Sequence, residues 1–403
     1  MQTAMPAARF AFDALTPQPP DALLSLIKLY ADDPRPEKID LGVGVYRTVD
    51  GRTPVFASVK AAEQRLINEQ STKSYLGPEG DLGFLEKIKP IVFGPGSTAT
   101  EIVGVQTPGG TGALRLAAEL LAAGRPEARI WLGSPTWPNH AAIFEMAGLT
   151  VVDYPYFDSR TQSIRFGEML SALDNAASGD AVLLHGCCHN PTGADPDLEQ
   201  WRVLAERIAA RGLVPLIDFA YQGLGAGLDA DAAGARLIIQ ACDNALVAYS
   251  LDKNFGLYRE RVGALFARSP SHGELVQSNI LRLARGAWSM PPDHGAAVVR
   301  VILEDTGLTR DWHHELEGMR NRLVEVRAAL AAAAPAYAGL AKHHGMFALL
   351  PLSADEILRL RMDHGVYMAG SGRINLAGLN SGNVRIFAEA LTIVCRDSSS
   401  DHD

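Results

Sequence analysis

The chain has 403 residues, of which 47% are hydrophobic and 21% charged, with 38 glycines and 23 prolines. This composition is typical of a folded globular protein, and the length suggests two domains or one large α/β domain with a smaller one. A net charge of −9 argues against broad nucleic-acid binding, which needs a basic surface, and no apolar run approaches the ~20 residues that span a bilayer.

The N-terminal segment is predicted to be an arm that joins part of a small domain, together covering residues 1–46. Residues 1–18 lack the apolar core of a secretory signal, and four cysteines without such a signal indicate reduced thiols in the cytoplasm. The stretch PPDALLSLIKLYADD (19–33) predicts an amphipathic helix introduced by prolines, followed by KIDLGVGVY (38–46).

From about residue 105 the chain alternates short apolar strands with helices. TPGGTGALRLAAELLAAG (107–124) predicts a glycine turn leading into a helix that ends at Gly124. Strands are predicted at ARIWLG (128–133), AVLLHG (181–186), LVPLID (213–218) and ALVAYS (245–250), and a helix at 197–212. Strands separated by helices predict βαβ units and a sheet with much parallel pairing.

Near residue 293 the pattern changes to long helices, at 293–305 and 311–334, followed by a short α+β stretch. We therefore predict a large domain over residues 47–308 and a small C-terminal domain over 309–403.

The stretch HGCCHNPTG (185–193) contains four potential metal ligands, His185, Cys187, Cys188 and His189. Structural zinc sites space paired ligands so that one turn aims both at the ion, whereas adjacent cysteines on an extended chain point to opposite faces. The other two cysteines add no second pair. We predict no metal, and we interpret the cysteines as small buried side chains at a strand end.

Three polar residues, Asn190, Asp218 and Ser250, stand at or just past the C-terminal ends of predicted strands. Ligands gather at such ends in α/β sheets, so the three are predicted to share one site. Asp218 could also be a helix cap or an ion-pair partner.

Two further stretches suggest an anion and an amine at this site. GGTG (109–112) opens a helix, and its backbone N–H groups suit phosphate, although such starts are often purely structural. Lys253, with Arg261 eight residues later, follows a strand, where a lysine is usually solvated. Inside a cleft it could act as a Schiff-base nucleophile. A phosphate site, an amine and a carboxylate for a ring nitrogen are together what pyridoxal phosphate requires.

Eight strings in order resemble the fold-type I aminotransferases, most closely the aspartate and aromatic amino acid subgroup. They are LGVGVY, TKSYLG, GGTGALR, SPTWPNH, HGCCHNPTG, DFAYQG, KNFGLYRERVG and SGRINLAG, and the match runs from about residue 13 to 395. The resemblance implies an α/β fold with a mostly parallel seven-stranded sheet between helices, plus a smaller α+β domain. It also implies a homodimer with shared active sites.

The resemblance also implies how pyridoxal 5′-phosphate is held. Lys253 forms the Schiff base and moves the proton, Asp218 pairs with the ring nitrogen, and Tyr75 of the partner subunit completes the catalytic set. Asn190 and Tyr221 bind the ring hydroxyl and Trp137 stacks on the ring, with His140 and His189 beneath it. The phosphate ligands are Gly110, Thr111, Ser250, Arg261 and Tyr75, with Gly109 in the same turn.

For the substrate, the resemblance implies that Arg373 binds the α-carboxylate, with Gly44, Trp137 and Asn190 nearby. Arg285 from the partner subunit would face a second carboxylate.

Several positions depart from the subgroup. Asp252 stands where a serine usually precedes the lysine, Leu251 replaces an aromatic or small polar residue, and Gly109 stands where a serine often contacts phosphate. Trp288 and Met290 replace the tyrosine and asparagine of aspartate-specific members. We expect Asp252 to point away from the site, because neighbours on a strand-end loop diverge.

The predicted function is transfer of the amino group of aromatic amino acids and aspartate or glutamate to a 2-oxo acid such as 2-oxoglutarate. A strict aspartate aminotransferase and a lyase or decarboxylase of the same fold are alternatives. A nicotinamide-dependent dehydrogenase would need a G-x-G-x-x-G fingerprint that is missing here, and a metal-dependent hydrolase would rest on HGCCH alone.

Overall fold

In the computed structural model of the protein, residues 12, 15–17, 22–95 and 101–400 are described. Much of the predicted N-terminal arm lies outside them.

Helices are present at all five stretches where the sequence predicts them, and further helices that were not predicted occur elsewhere in the chain. In chain order they are α1 (Ala22–Asp32), α2 (Ala57–Glu69), α3 (Leu82–Phe93), α4 (Gly109–Gly124), α5 (Asn139–Met146), α6 (Phe166–Leu173), α7 (Leu198–Arg211), α8 (Leu228–Ala241), α9 (Gly273–Ala287), α10 (His294–Glu304), α11 (Thr306–Ala333), α12 (Ala354–His364) and α13 (Val384–Ser400), with 3₁₀ segments at Pro335–Lys342 and Leu376–Gly378. Within the described residues, no helix combines the length and the apolar character needed to cross a membrane.

The strands are shorter than the helices. They are β1 (Ile39–Asp40), β2 (Ile102–Pro108), β3 (Arg129–Ser134), β4 (Thr150–Pro155), β5 (Phe157–Asp158), β6 (Ser163–Ile164), β7 (Ala181–His185), β8 (Val214–Phe219), β9 (Ala245–Ser250), β10 (Val262–Arg268), β11 (Phe347–Leu349), β12 (Val366–Tyr367) and β13 (Arg373–Asn375).

Seven strands form the main sheet in the order β2-β10-β9-β8-β7-β3-β4. Strand β10 is antiparallel to both of its neighbours, and the other pairs are parallel. The mostly parallel seven-stranded sheet is therefore confirmed. Because β10 runs the other way, its first residues lie at the same edge as the last residues of β9.

Local sequence explains why these elements form. Every residue of AVLLH in β7 is buried, as expected for a parallel strand covered by helices on both faces. Helix α7 begins at a capping box in which Asp197 and Gln200 satisfy each other's backbone N–H groups, and it ends at Gly212 in the left-handed conformation.

The buried apolar residues form separate clusters around the main sheet and around the C-terminal elements. Helix α11 contributes to two of them: Trp312 and Leu316 pack in a cluster of the main sheet, and Val326 and Leu330 pack with β11–β13 and α13. The predicted boundary at 308/309 falls near the start of this helix, and the division into domains stays a prediction.

Candidate active site

A cavity of about 310 Å³ opens where the main strands end. Asp218 in β8, Ser250 at the end of β9 and Asn190 beyond β7 all line it. They meet there because the carboxyl ends of neighbouring parallel strands lie at one edge of a sheet.

Most of the predicted site residues line this cavity. They are Gly44, Gly110, Thr111, Trp137, Asn190, Asp218, Tyr221, Ser250, Lys253, Arg261 and Arg373. Gly109, Tyr75 and Arg285 are not among the lining residues. Tyr75 is 93% exposed, and Arg285, at the end of α9, donates a hydrogen bond to the Ser289 hydroxyl at 2.5 Å.

Lys253 lies in the turn between β9 and β10 and lines the cavity. Its Nζ is 5.4 Å from the centre of the Tyr221 ring, and among the described residues it has neither a hydrogen bond nor an ion pair. Burial lowers the pKa of Lys253, with a smaller contribution from Arg261, and the carboxylates of Asp252 and Asp218 only partly oppose this. The amine is therefore easier to deprotonate than an ordinary lysine.

Asp218 is held by a chain of polar contacts at its back. Its Oδ2 lies 3.1 Å from Nε2 of His140, and Nδ1 of His140 lies 2.8 Å from the Thr136 hydroxyl. Burial opposes ionisation of Asp218, but the hydrogen bond to His140 and the nearby charges, including that of Lys253, outweigh it and lower the pKa of Asp218. The carboxylate thus stays ionised at neutral pH.

The two histidines of HGCCHNPTG are buried and neutral. Burial lowers the pKa of His185 to about 3 and that of His189 well below its usual value. Nε2 of His185 is 3.0 Å from the Thr136 hydroxyl, and Nδ1 of His189 is 3.0 Å from that of Thr192. The neutral His189 ring also stacks on Tyr156, with centroids 4.1 Å apart.

The cysteines of the same stretch pack against Asp231. Cys187, Cys188 and Asp231 place their possible ligand atoms within 4.8 Å of one another. The Asp231 carboxylate accepts backbone N–H bonds from Gly223, Gly225 and Ala226, and burial raises the pKa of Cys187 well above its usual value. The Cys187 thiol stays protonated, and the Asp231 carboxylate beside it already accepts three backbone hydrogen bonds. Both observations fit the packing role predicted for the cysteines.

The first turn of α4 forms the anion-binding end of the cavity. A Cβ at Gly110 would come within 2.9 Å of the Ser250 Cβ, so only glycine lets this turn lie so close to β9. Thr111 and Arg261 line the same end. Backbone N–H groups at a helix start, a hydroxyl and a guanidinium together suit a phosphate.

Asp252 corrects one expectation: it does not point away from the site. It is 2% exposed, lines the cavity, and pairs with Nη1 of Arg261. Its Oδ1 also accepts the Val262 N–H at 3.0 Å. The outward orientation was expected for an extended chain, but residues 252–255 form a turn, so adjacent side chains need not diverge.

Arg373 lies at another side of the cavity. Its Nη2 donates to the Gly42 carbonyl at 2.9 Å, and Nη1 is 3.5 Å from Oδ1 of Asn190. Its Nε is buried without a hydrogen-bond partner, and within the described residues no carboxylate pairs with it. The guanidinium lies 4.7 Å from the centre of the Phe347 ring. A partly buried cation without a carboxylate partner is available to bind an anion.

Sequence reasoning missed the apolar residues of the wall: Val43, Val45, Leu114, Ala220 and Phe347. Phe347 pairs with Asn375, two residues beyond Arg373, across β11 and β13. Val43, Val45, Leu114 and Ala220 lie within the quoted strings LGVGVY, GGTGALR and DFAYQG but were given no role, and Phe347 lies in none of the strings. The nearest sequence signal for Phe347 is its position in the apolar run MFALL (346–350).

Comparison with known proteins gives consistent results. The family described as aminotransferase class I and II matches residues 36–391. A tyrosine aminotransferase of Rhizobium meliloti (strain 1021) is 53% identical over 389 residues, covering 94% of this chain and 99% of that protein. An aspartate aminotransferase of Salmonella typhi is 43% identical over 394 residues, covering 95% and 100%. The structure of an aromatic-amino-acid aminotransferase from Burkholderia pseudomallei, covalently bound to pyridoxal phosphate, superposes with a TM-score of 0.93 at 38% identity, covering 96% of this chain and 99% of that one.

Proposed function

This chain belongs to the class I and II aminotransferase family, and from that premise we propose that it transfers the amino group of aromatic amino acids and of aspartate or glutamate to a 2-oxo acid such as 2-oxoglutarate. The cofactor of the family is pyridoxal 5′-phosphate. Relatives named for tyrosine and for aspartate both match nearly the whole chain, which supports a substrate range that includes both classes.

The residues of the cavity fit this cofactor. The volume of about 310 Å³ is within the range of small-molecule sites. Gly110, Thr111, Ser250 and Arg261 would hold the phosphate, with Gly109 beside them. Asn190 and Tyr221 would bind the ring hydroxyl, Trp137 would cover the ring, and His140 and His189 would lie beneath it.

When bound, the cofactor supplies an aldehyde carbon that amines attack and a ring that accepts electrons from the substrate Cα. Lys253 is the amine of this chain that binds it covalently. As a neutral base, its Nζ accepts the Cα proton of the substrate, a task that its lowered pKa favours. Asp218 stays negative because the hydrogen bond to His140 supports its ionised form, and this charge would favour the protonated form of the ring nitrogen when the cofactor is bound.

Arg373 orients the substrate. Its guanidinium has no carboxylate partner among the described residues and an Nε without a hydrogen bond, so it suits the α-carboxylate that every amino acid and 2-oxo acid carries. Gly44 and Asn190 line the same region. A Cβ at Gly44 would lie 3.2 Å from Cζ of Phe347, so glycine keeps this wall open.

The active enzyme would be a homodimer in the cytoplasm. Tyr75 is 93% exposed on this chain, which is unusual for an aromatic side chain. In a dimer it would contact the phosphate bound in the partner subunit. Arg285 would reach the partner's substrate in the same way. Four free cysteines agree with a reducing compartment.

The observation that carries this proposal is the Lys253 amine, unpaired inside a cavity that also contains the Asp218 carboxylate. The test is steady-state transamination by the purified enzyme with phenylalanine, tyrosine and aspartate as donors and 2-oxoglutarate as acceptor. We expect activity with all three. Activity with aspartate alone would favour a strict aspartate aminotransferase, and no amino transfer would contradict the proposal.

A further inference from the structure

The Asp252–Arg261 ion pair occupies the anion-binding end of the cavity. The Asp252 side chain is 2% exposed and uses both carboxylate oxygens: Oδ2 contacts Nη1 of Arg261, and Oδ1 accepts the Val262 N–H at 3.0 Å. Arg261 adopts a left-handed backbone conformation, with φ of 56°, at the start of β10. A carboxylate therefore already neutralises the guanidinium that suits a phosphate.

Gly109 provides the space for this pair. A Cβ at Gly109 would lie 2.5 Å from Nη2 of Arg261 and 3.1 Å from Oδ2 of Asp252. The glycine also has a φ of 70°, which disfavours other residues. The pair is thus packed against the first turn of α4, and an anion bound there would be close to both the guanidinium and the carboxylate.

A phosphate at this position would add negative charge next to a carboxylate that cannot easily leave. The charged and titratable groups that face Asp252 are Lys253, Arg261 and Tyr258. Burial raises the pKa of Asp252 even though Lys253 and Arg261 oppose this, and a phosphate dianion would raise it further. Moving the side chain into solvent would break the bond to the Val262 N–H.

We propose that Asp252 is a resident counter-ion of Arg261 and that it takes up one proton from solvent when a phosphate group binds beside it. The protonated oxygen can then donate a hydrogen bond to the phosphate, and Arg261 exchanges its carboxylate partner for the phosphate. Asp252 thus makes binding of the phosphate group weaken as pH rises. This inference rests on the proposed phosphate site.

The test measures the affinity of inorganic phosphate for the cofactor-free, full-length chain by calorimetry. If phosphate binding takes up one proton, the affinity of the wild type should fall about tenfold more than that of Asp252→Asn between about pH 7.5 and about pH 8.5. The asparagine mimics the protonated side chain. Because the charge of Asp252 also raises the pKa of Lys253, the comparison is repeated in a Lys253→Ala background. Pyridoxal, which lacks the phosphate, is the control ligand, and its affinity should show no such difference.

Titration in two buffers of different ionisation enthalpy counts the protons directly. We expect about one more proton per bound phosphate in the wild type than in Asp252→Asn, and Asp252→Ser serves if the asparagine variant does not fold. Phosphate binding with equal pH slopes and equal proton counts would overturn the role of Asp252 alone. If phosphate binds to neither protein, or binds equally well to Arg261→Ala, the proposed phosphate site fails as well.

Discussion

Oδ2 of Asp218 lies 3.1 Å from Nε2 of His140, and both side chains are buried. Because an ionised carboxylate only accepts, Nε2 of His140 carries a proton toward Asp218, and Nδ1 of His140 lies 2.8 Å from the Thr136 hydroxyl. The imidazole thus orients the carboxylate and helps to keep it negative. The proposed role of Asp218 beside a ring nitrogen depends on that charge.

Replacement of this charge gives the first prediction. Asp218→Asn keeps the shape of the side chain but removes the negative charge. The activation free energy for abstraction of the Cα proton should therefore rise by on the order of several kcal/mol. Single-turnover absorbance measurements with one amino acid donor report this step. Asp243→Asn, at another aspartate of the same chain, is the matched control. An unchanged single-turnover rate in Asp218→Asn would contradict the role.

Lys253→Ala should abolish transamination while the fold persists. The variant lacks the amine that we propose binds the cofactor and moves the proton, so kcat should fall on the order of 10⁴-fold or more. Lys60→Ala, at an exposed lysine of α2, should retain full activity. Circular dichroism verifies folding of both variants, and near-wild-type turnover by Lys253→Ala would refute the assignment.

Arg373→Ala should weaken substrate use. The α-carboxylate would lose its proposed charge-assisted partner, so the loss in kcat/KM should correspond to about 2–5 kcal/mol of transition-state binding for every amino acid tested. Arg259→Ala, at an exposed arginine, is the control. The loss should be similar for aspartate and phenylalanine, since both carry the α-carboxylate. A loss confined to one of them would argue against a general role.

Arg285→Ala should separate acidic from aromatic substrates. Only a distal carboxylate loses a charge-assisted pair, so kcat/KM for aspartate should fall at least about tenfold more than for phenylalanine. Arg282→Ala, exposed on the same helix, is the matched control. An aromatic substrate would require Arg285 to move aside. The neighbouring Gly286 lies in open space, with no other atom within 4 Å of the position that a Cβ would occupy. Equal losses on both substrates would exclude this basis for selectivity.

The buried His185 should make the folded state sensitive to acid. Its pKa is about 3 in the folded protein and about 6.5 when unfolded. Between these values the unfolded state binds more protons, so stability falls as pH decreases, by about 1.4 kcal/mol per pH unit for this group. Urea unfolding of His185→Asn from about pH 4 to about pH 6 should show a slope reduced by that amount.

Exposed His272 provides the control for this measurement. His272→Asn is unfolded in urea over the same pH range, and its slope is compared with that of His185→Asn. The same slope in His185→Asn as in the wild type would show that His185 is protonated in the folded state.

Much of the fold follows from local sequence. The strand predicted at 245–250 is β9 residue for residue, and the helix predicted at 197–212 is α7 with its two capping residues. Both have strong local signals: a continuous apolar run in one, and an aspartate cap and a terminal glycine in the other. Strand β10, by contrast, was not predicted. Its antiparallel pairing with β2 and β9 depends on the tertiary structure, because an apolar run specifies neither the direction of a strand nor its neighbours.

Asn190, Asp218 and Ser250 were grouped from sequence because parallel strands end at a common edge, and the strand alternation alone places them together. The side-chain contacts were decided only in three dimensions. The Asp252 carboxylate lies inside the cavity because the turn at 252–255, the Val262 N–H and the Arg261 guanidinium draw it there. The ring of Phe347 under Arg373 depends on the pairing of β11 with β13. Periodicity and motifs encode the elements and their order, whereas the direction of a side chain in a turn is set by partners that are distant in sequence.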